Sequence, residues 1–377
     1  MGLRSVSLTL ILLLASLVTV QSAEPAPDRV NGSPSRPPLV LSFVGDIMHH
    51  EINAAMPDFD RLYDSVRALL QIDDLSFANV EFPVDPAREP SGYPIFNGSV
   101  DYLEAAIRAG FDVLSLANNH SFDLGAGGVA TTKAVVDDLA RRGGIHASGL
   151  RSEPWAPIEV TAIDHRTWRI GFVAVTSFSN VAGSSPYINL INYFDRDVRR
   201  DFLASVRQWS EEYDLLILSV HAGDEYVSTP VTHKSRFLRE LSDAGAHIVW
   251  SHHPHVLQPW EQRDGRVIIF SAGNFVSGQR RYQSPLVPFG RWAPTGDTAI
   301  YQLAVSQVGD LVEARMARTP LFTMLAHPEH GLVLRSYDEV LANDGPMLWR
   351  AFHLARYPVM RRFVTRELRD YRVAFVR

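Results

Sequence analysis

Asp46, Asn79, Glu81, Asn118, Asn119, His120, Asp123, His221, His252, His253, His255 and Asn274 share one property: each lies at or just past the end of a short apolar run. Carboxylate oxygen, amide oxygen and imidazole nitrogen together form a ligand set for borderline or hard divalent ions such as Mn, Zn, Fe or Mg. The chain contains no cysteine, which excludes disulfides, thiolate ligands and a cysteine nucleophile. The chemistry expected of such a set is one or two ions that lower the pKa of a bound water, with a free imidazole beside them to protonate a leaving oxygen. Each residue alone has a plainer role: Asp46 and Asn274 in turns, Glu81 as a loop charge, His221 as a hydrogen-bonded core histidine. Their recurrence at six strand ends favours a site. Of His252, His253 and His255, one is expected to be exposed and idle, because three side chains so spaced cannot all point one way.

The runs that position these residues read as strands. They include Leu39–Val44, Leu75–Ala78, Asp112–Ala117, Leu215–Val220, His247–Trp250 and Val267–Ser271. Unbroken apolar character with turn residues behind it marks buried parallel strands, and ligands in open α/β sheets sit beyond their carboxyl ends. Apolar spacing predicts helices over about 59–71, from Ser99 to a stop at Gly110, and over 127–142, 197–213 and 232–244. Two hairpins follow from Ile158–Ile163 with Trp168–Val175, and from Thr298–Val305 with Leu311–Arg318 around Gly309-Asp310. Residues 279–296 read as a long loop, and the chain from about Tyr337 reads as helical and arginine-rich. The order βαβα, hairpin, βαβ, antiparallel strands makes the class α/β, a mixed two-sheet sandwich with helices on its outer faces.

A chain of 377 residues with 46% hydrophobic and 21% charged residues suffices for one large α/β domain. The net charge of −6 is spread out, and without a basic block nucleic acid is not an expected partner. Residues 1–22 read as a secretory signal peptide, with Arg4 before an apolar stretch and small residues at Val20 and Ser22. Residues 23–37, rich in Pro, Ser and Gly, read as a linker. Residues 38–325 are then the expected domain and 326–377 a C-terminal helical extension. The expected location is outside the cytoplasm, periplasmic or extracellular. An uncleaved leader would instead hold the protein at the membrane.

Six segments in order carry a resemblance. They are Gly45-Asp46-Ile-Met48, Ala78-Asn-Val-Glu81, Ala117-Asn-Asn-His120-Ser-Phe-Asp123-Leu-Gly125, His221-Ala-Gly-Asp-Glu225-Tyr226, His252-His-Pro-His255-Val-Leu-Gln258-Pro-Trp-Glu261 and Ser271-Ala-Gly-Asn274-Phe275. Together they resemble the CapA-type proteins of capsule or poly-γ-glutamate biosynthesis, distant relatives of the calcineurin-like metallophosphoesterases. The resemblance covers about residues 38–280. It implies a four-layer α/β/β/α sandwich of two mixed sheets. It implies that Asp46, Glu81, Asn119, His221 and the outer histidines of the cluster, His252 and His255, hold one or two divalent ions; the related phosphoesterases would select His253 and His255 instead. It implies that His120 is general acid or transition-state stabiliser, with Asn118 and Asp123 completing the catalytic group. The sequence departs from the phosphoesterase pattern at Met48, which stands where a histidine is usual, followed by His49 and His50 as possible substitutes. Glu81 stands for a bridging Asp, Ser251 for a glycine and Ala222 for a Trp. Two functions follow: a metal-dependent hydrolase acting on a phosphoester or a γ-glutamyl amide, or a non-catalytic accessory factor for making or exporting an anionic envelope polymer. The second draws on Arg356, Arg361, Arg362, Arg366, Arg369 and Arg372, and implies capsule synthesis or export machinery as partner.

Overall fold

The computed structural model describes residues 36–327, 331–342 and 346–365. The expected signal peptide and all but the end of the expected linker lie outside these residues. β1 (Leu39–Ile47) leads through α1 (Glu51–Ala54), a 3-10 turn (Phe59–Tyr63) and α2 (Arg67–Leu70) to β2 (Leu75–Val80). α3 (Val100–Ala109), β3 (Val113–Ser115), α4 (Gly125–Gly143) and β4 (His146–Ser148) follow. β5 (Thr161–His165) and β6 (Trp168–Thr176) form the first expected hairpin. Then come α5 (Arg196–Glu212), β7 (Leu215–His221), α6 (Thr232–Asp243), β8 (Ile248–His252), β9 (Trp260–Arg263) and β10 (Arg266–Ile269). β11 (Asn274–Val276), β12 (Asp297–Ala299), β13 (Tyr301–Val308), β14 (Leu311–Arg318), β15 (Leu321–His327) and β16 (Gly331–Ser336) precede α7 (Tyr337–Ala342) and α8 (Met347–Thr365).

Two large mixed sheets carry the fold. One has the order β14-β13-β1-β2-β3-β4, with β11 also paired to β1. The other has the order β5-β6-β7-β8-β10-β9. Three apolar clusters separate four layers. Tyr102, Leu103, Ala106, Val136 and Leu139 of α3 and α4 cover one sheet. Phe43, Phe77, Val113, Phe172, Ile217 and Trp250 fill the space between the sheets. Phe202, Val206, Phe237, Leu238 and Leu241 of α5 and α6 cover the other. The architecture is therefore the α/β/β/α sandwich. Because β1, β2 and β3 are parallel to one another, as are β6, β7 and β8, the carboxyl ends of each set emerge at one edge.

Three expectations need correction. The helix over 59–71 is broken into a 3-10 turn and a short α-helix, although Leu62, Val66 and Leu70 are buried as their spacing predicts. Asp64 and Ser65, residues of low helix propensity, lie at the break; Asp64 pairs with Arg61 and Ser65 Oγ bonds Glu339 and Arg335. A small third sheet, β12-β15-β16, takes the start of the expected strand Thr298–Val305 as β12 and adds β15 and β16, where no strand beyond Arg318 was expected. The boundary at 325 consequently falls inside β15, and the C-terminal stretch is not purely helical. Nor does it stand apart: Met360, Phe363 and Val364 of α8 enter the cluster between the two main sheets, and Trp260 Nε1 donates to the Val364 carbonyl at 2.8 Å.

Lys234 of α6 ties this frame to the edge where the strand ends meet. It is fully buried and donates to the Phe270 carbonyl at 2.7 Å and to Gln258 Oε1 at 3.4 Å. Burial pushes its pKa down to about 7, against 10.5 for an ordinary lysine. The cost of holding a buried charge is therefore fully present below pH 7 and shrinks as the pH rises towards 10.5, because the unfolded chain binds the extra proton over that window. Thermal unfolding should show wild type gaining stability relative to Lys234→Met between about pH 7 and pH 9. Parallel pH profiles for the two proteins would refute the assignment.

Candidate metal centre

Strand ends from both sheets converge on one buried cluster. Parallel pairing sets Asp46 beside Asn79 and beside Asn274, and sets His221 beside His252. Gly45 makes the pairing with Asn274 feasible: a Cβ there would lie 1.8 Å from the Gly273 carbonyl oxygen, which accepts the Asp46 amide at 3.0 Å. Asp46 Oδ2 lies 3.1 Å from His255 Nδ1, and Asp46 Oδ1 accepts from Asn79 Nδ2 at 2.8 Å. Asn274 Oδ1 is 2.9 Å from the same His255 nitrogen. Glu81 Oε1 stands 3.7 Å from His221 Nε2 and 3.9 Å from His255 Nε2. A hydrogen-bonded row crosses the gap between the sheets: Asn119 Oδ1 to His221 Nε2 at 2.6 Å, His221 Nδ1 to His252 Nδ1 at 2.8 Å, His252 Nε2 to Ser219 Oγ at 2.7 Å, and Ser219 Oγ to Ser115 Oγ at 2.8 Å.

All six expected ligands are thus brought together and buried. His253, expected as one candidate for the idle and exposed member, is only 4% exposed, and so none of the three cluster histidines faces solvent. The alternation rule fails here because the chain leaves β8 at His252 and turns sharply, with φ of 96° at His253 and 57° at His255. Positive φ at such residues costs on the order of 1–3 kcal/mol and persists only where the surroundings impose it. Four acid and histidine groups have ligand atoms within 4.8 Å of one another: Asp46, His221 and His252; Glu81, His221 and His253; Glu225, His253 and His255; and Asp46, Glu81 and His255. Glu225 carries no expected role, although it follows His221 by four residues in a quoted motif. Among the described residues His49 and His50 join none of these groups. His49 packs on Phe82 and Tyr102, and His50 Nδ1 accepts from the Gly278 amide. Met48 is buried in the apolar cluster under the first sheet.

The donor set fits a divalent cation. Glu81 Oε1 and His253 Nδ1 are buried without a hydrogen-bond partner, and both residues belong to one group. Burial, reinforced by neighbouring histidines, holds His221 and His253 well below the usual imidazole range. Burial likewise lowers His252 to about 3. These rings are neutral near pH 7 and keep a lone pair for a cation. Burial alone would raise Asp46 and lower His255, but their mutual contact outweighs it, so Asp46 lies below and His255 above its ordinary value. Burial and the Asp46 charge push Glu81 well above the carboxylate range.

His120 sits beside this cluster with its orientation fixed. Its Nδ1 is 2.7 Å from Asp123 Oδ2, which also accepts the Phe96 amide at 2.9 Å. The Phe96 ring packs edge-on against the imidazole at 4.6 Å. Asn118 Oδ1 accepts the His120 amide at 3.2 Å while its Nδ2 donates to the Val80 carbonyl at 2.8 Å, tying this turn to β2. Asn180 Nδ2 lies 3.4 Å from His120 Nε2. Sequence reasoning passed over Asn180, though it follows the end of β6 much as the other polar groups follow their strands.

Burial and the Asp46 charge favour the protonated form of Glu81, so a cation competes with a proton there and its affinity rises with pH. Calorimetry with Mn²⁺ or Zn²⁺ should show binding that tightens as the pH rises. Glu81→Gln should weaken binding about tenfold or more and flatten its pH dependence.

Comparison with known proteins places the chain. The profile of the family described as bacterial capsule synthesis protein PGA_cap matches residues 40–279. The PGA biosynthesis protein CapA of Bacillus subtilis (strain 168) is 26% identical over 326 residues, 83% of this chain and 80% of that protein. The capsule biosynthesis protein CapA of Bacillus anthracis is 27% identical over 287 residues, 73% of this chain and 66% of that protein. A probable polyglutamine synthesis accessory protein of Mycobacterium tuberculosis is 30% identical over 199 residues, half of each chain. The matched span runs from β1 through β11 and so takes in every strand end that supplies the cluster; the chain belongs to the bacterial capsule synthesis protein family, that of the CapA proteins.

Proposed function

We propose that this protein is an exported, metal-dependent hydrolase that cleaves a phosphoester or an amide in the making of an anionic envelope polymer, the capsule or polyglutamate chemistry named for its relatives. One observation carries the reading: two unpartnered buried atoms, Glu81 Oε1 and His253 Nδ1, lie in a single acid and histidine group beside an imidazole already oriented by a carboxylate. Asp46, Glu81, Asn119, His221, His252 and His255 hold the one or two ions, with His253 added to them. A bound divalent cation supplies Lewis acidity towards the scissile group. His120 gives or takes a proton at Nε2. Asp123 keeps the Nδ1 proton in place, and Asn118 fixes the backbone that carries the ring. Glu225, 45% exposed at its side chain and 3.9 Å from His255, marks the side from which substrate approaches. Export rests on the leader-like residues 1–22. The synthesis or export machinery of the polymer is the natural partner.

A second reading, an accessory factor that binds polymer without cutting it, is favoured by Met48. It occupies the place of a phosphoesterase histidine and is sealed among apolar side chains. The two separate in one experiment. Protein loaded with Mn²⁺ or Zn²⁺ is assayed on a model phosphodiester and on oligo-γ-glutamate, with metal content measured in parallel. On the hydrolase reading, His120→Ala lowers kcat by about 10²–10³ with metal content unchanged, and Asp123→Asn falls between it and wild type. Asp46→Asn loses metal. Equal turnover in wild type and His120→Ala, or none that depends on metal, would sink the hydrolase and leave the accessory factor.

A further inference from the structure

Away from the metal centre, a cavity of about 330 Å³ lies between the third sheet, α7, α8 and the 3-10 turn Gly278–Tyr282. That volume is at the low end of small-molecule sites. Its described lining is divided. Leu325, Val340 and Trp349 give an apolar wall, while Arg280, Arg335, Arg350 and His353 bring cationic or titratable groups against one carboxylate, Glu339. Glu339 is already engaged by Ser65 Oγ and the Ser336 amide.

Two groups in this lining are buried beyond nine-tenths with an unsatisfied nitrogen. Arg280 is 8% exposed, its guanidinium lies 4.3 Å from the centre of the Trp349 ring, and its Nε has no hydrogen-bond partner. His353 is 1% exposed and its Nε2 has none either. The tautomer of His353 follows from its neighbours. Tyr337 donates its hydroxyl proton to Asp297 Oδ1 at 2.8 Å, so the Tyr337 oxygen can only accept from His353 Nδ1, 3.3 Å away. Burial, with Arg280 and Arg356 nearby, keeps His353 neutral by lowering it to about 4. Nε2 is then a bare acceptor. A buried guanidinium and a buried acceptor, each left incomplete, cost free energy unless a ligand completes them.

We propose that this cavity is a binding site for a small carboxylate that also carries an N–H donor, such as an acidic amino acid in amide linkage. The carboxylate takes the arginines and the N–H takes His353 Nε2, while the chain between them lies along Val340 and Leu325. Through the polymer named for its relatives the inference rests on the proposed function for the source of such a ligand, a chain end or a free oligomer, but binding is read without turnover. Failure of hydrolysis and failure of this site are therefore distinguishable.

The test is calorimetry on the whole protein with γ-glutamylglutamate, glutarate, glutaramide and inorganic phosphate. The dipeptide should bind, glutarate at least about tenfold more weakly for want of the N–H, and glutaramide not measurably. Arg280→Gln should weaken the dipeptide about tenfold or more. Arg350→Gln, at a more exposed position and so safe for folding, should weaken it by a smaller factor. Thermal unfolding of both variants confirms the fold. Phosphate or glutaramide binding as tightly as the dipeptide would overturn the proposal. So would a dipeptide affinity that neither variant changes. If the dipeptide binds with a chain-end preference, longer oligomers bind no more weakly; a loss with length assigns the site to free small molecules.

Discussion

The contact between Asp46 and His255 is the constraint around which the centre is built. An ion pair at 3.1 Å with neither partner exposed is expensive to desolvate, and its geometry must be held by its surroundings. The structure holds it from four directions. Asn79 of β2 and Asn274 of β11 supply amide contacts, one to each partner. The Gly273 carbonyl fixes the Asp46 amide, which requires Gly45 to have no side chain. The turn after β8 presents His255 at positive φ. The pair in turn acts on its neighbours: the Asp46 charge adds to burial in raising the Glu81 carboxyl and opposes the effect of burial on His252.

The row from Asn119 through His221 and His252 to Ser219 and Ser115 does a related job across the sandwich. Two sheets packed face to face are joined mainly by non-directional apolar contact. Directional bonds among these five side chains pin the relative height of β3, β7 and β8. Trp250 Nε1 adds a bond to the Val44 carbonyl of the opposite sheet at 2.9 Å. Both nitrogens of His252 are engaged in this row, whereas His253 Nδ1 has no hydrogen-bond partner, so the two adjacent residues have different environments although each belongs to a donor group.

Much of this was legible in the chain. Continuous apolar runs announced the parallel strands, and the polar residues that end them named most of the cluster. Ser99 and Gly110 bounded α3 as capping rules require. What escaped depended on conformation or distance. The inward turn of His253 is set by backbone angles that no periodicity encodes. Asn180 and Glu225 reach the centre from loops, where side-chain direction is unconstrained by a strand or helix period. The third sheet was missed because β12 and β15 pair only after the chain has doubled back, and β9 because Trp260–Arg263 is short and polar at one end. Met48 was legible as a departure from a pattern, but only the packing around it reveals why it stays inside.

The order of strands also governs when the molecule can become whole. β1, which carries Asp46, lies in the interior of its sheet, and one of its flanks is closed by β13 with Leu39 opposite Val305. A nascent chain therefore holds its first strand with an open edge until nearly all of the sequence is available. Long-range pairing of this kind makes folding slow and leaves an adhesive edge exposed meanwhile. A chain cut short before residue 300 would lack that partner altogether, and would be a template for sticking to its own kind.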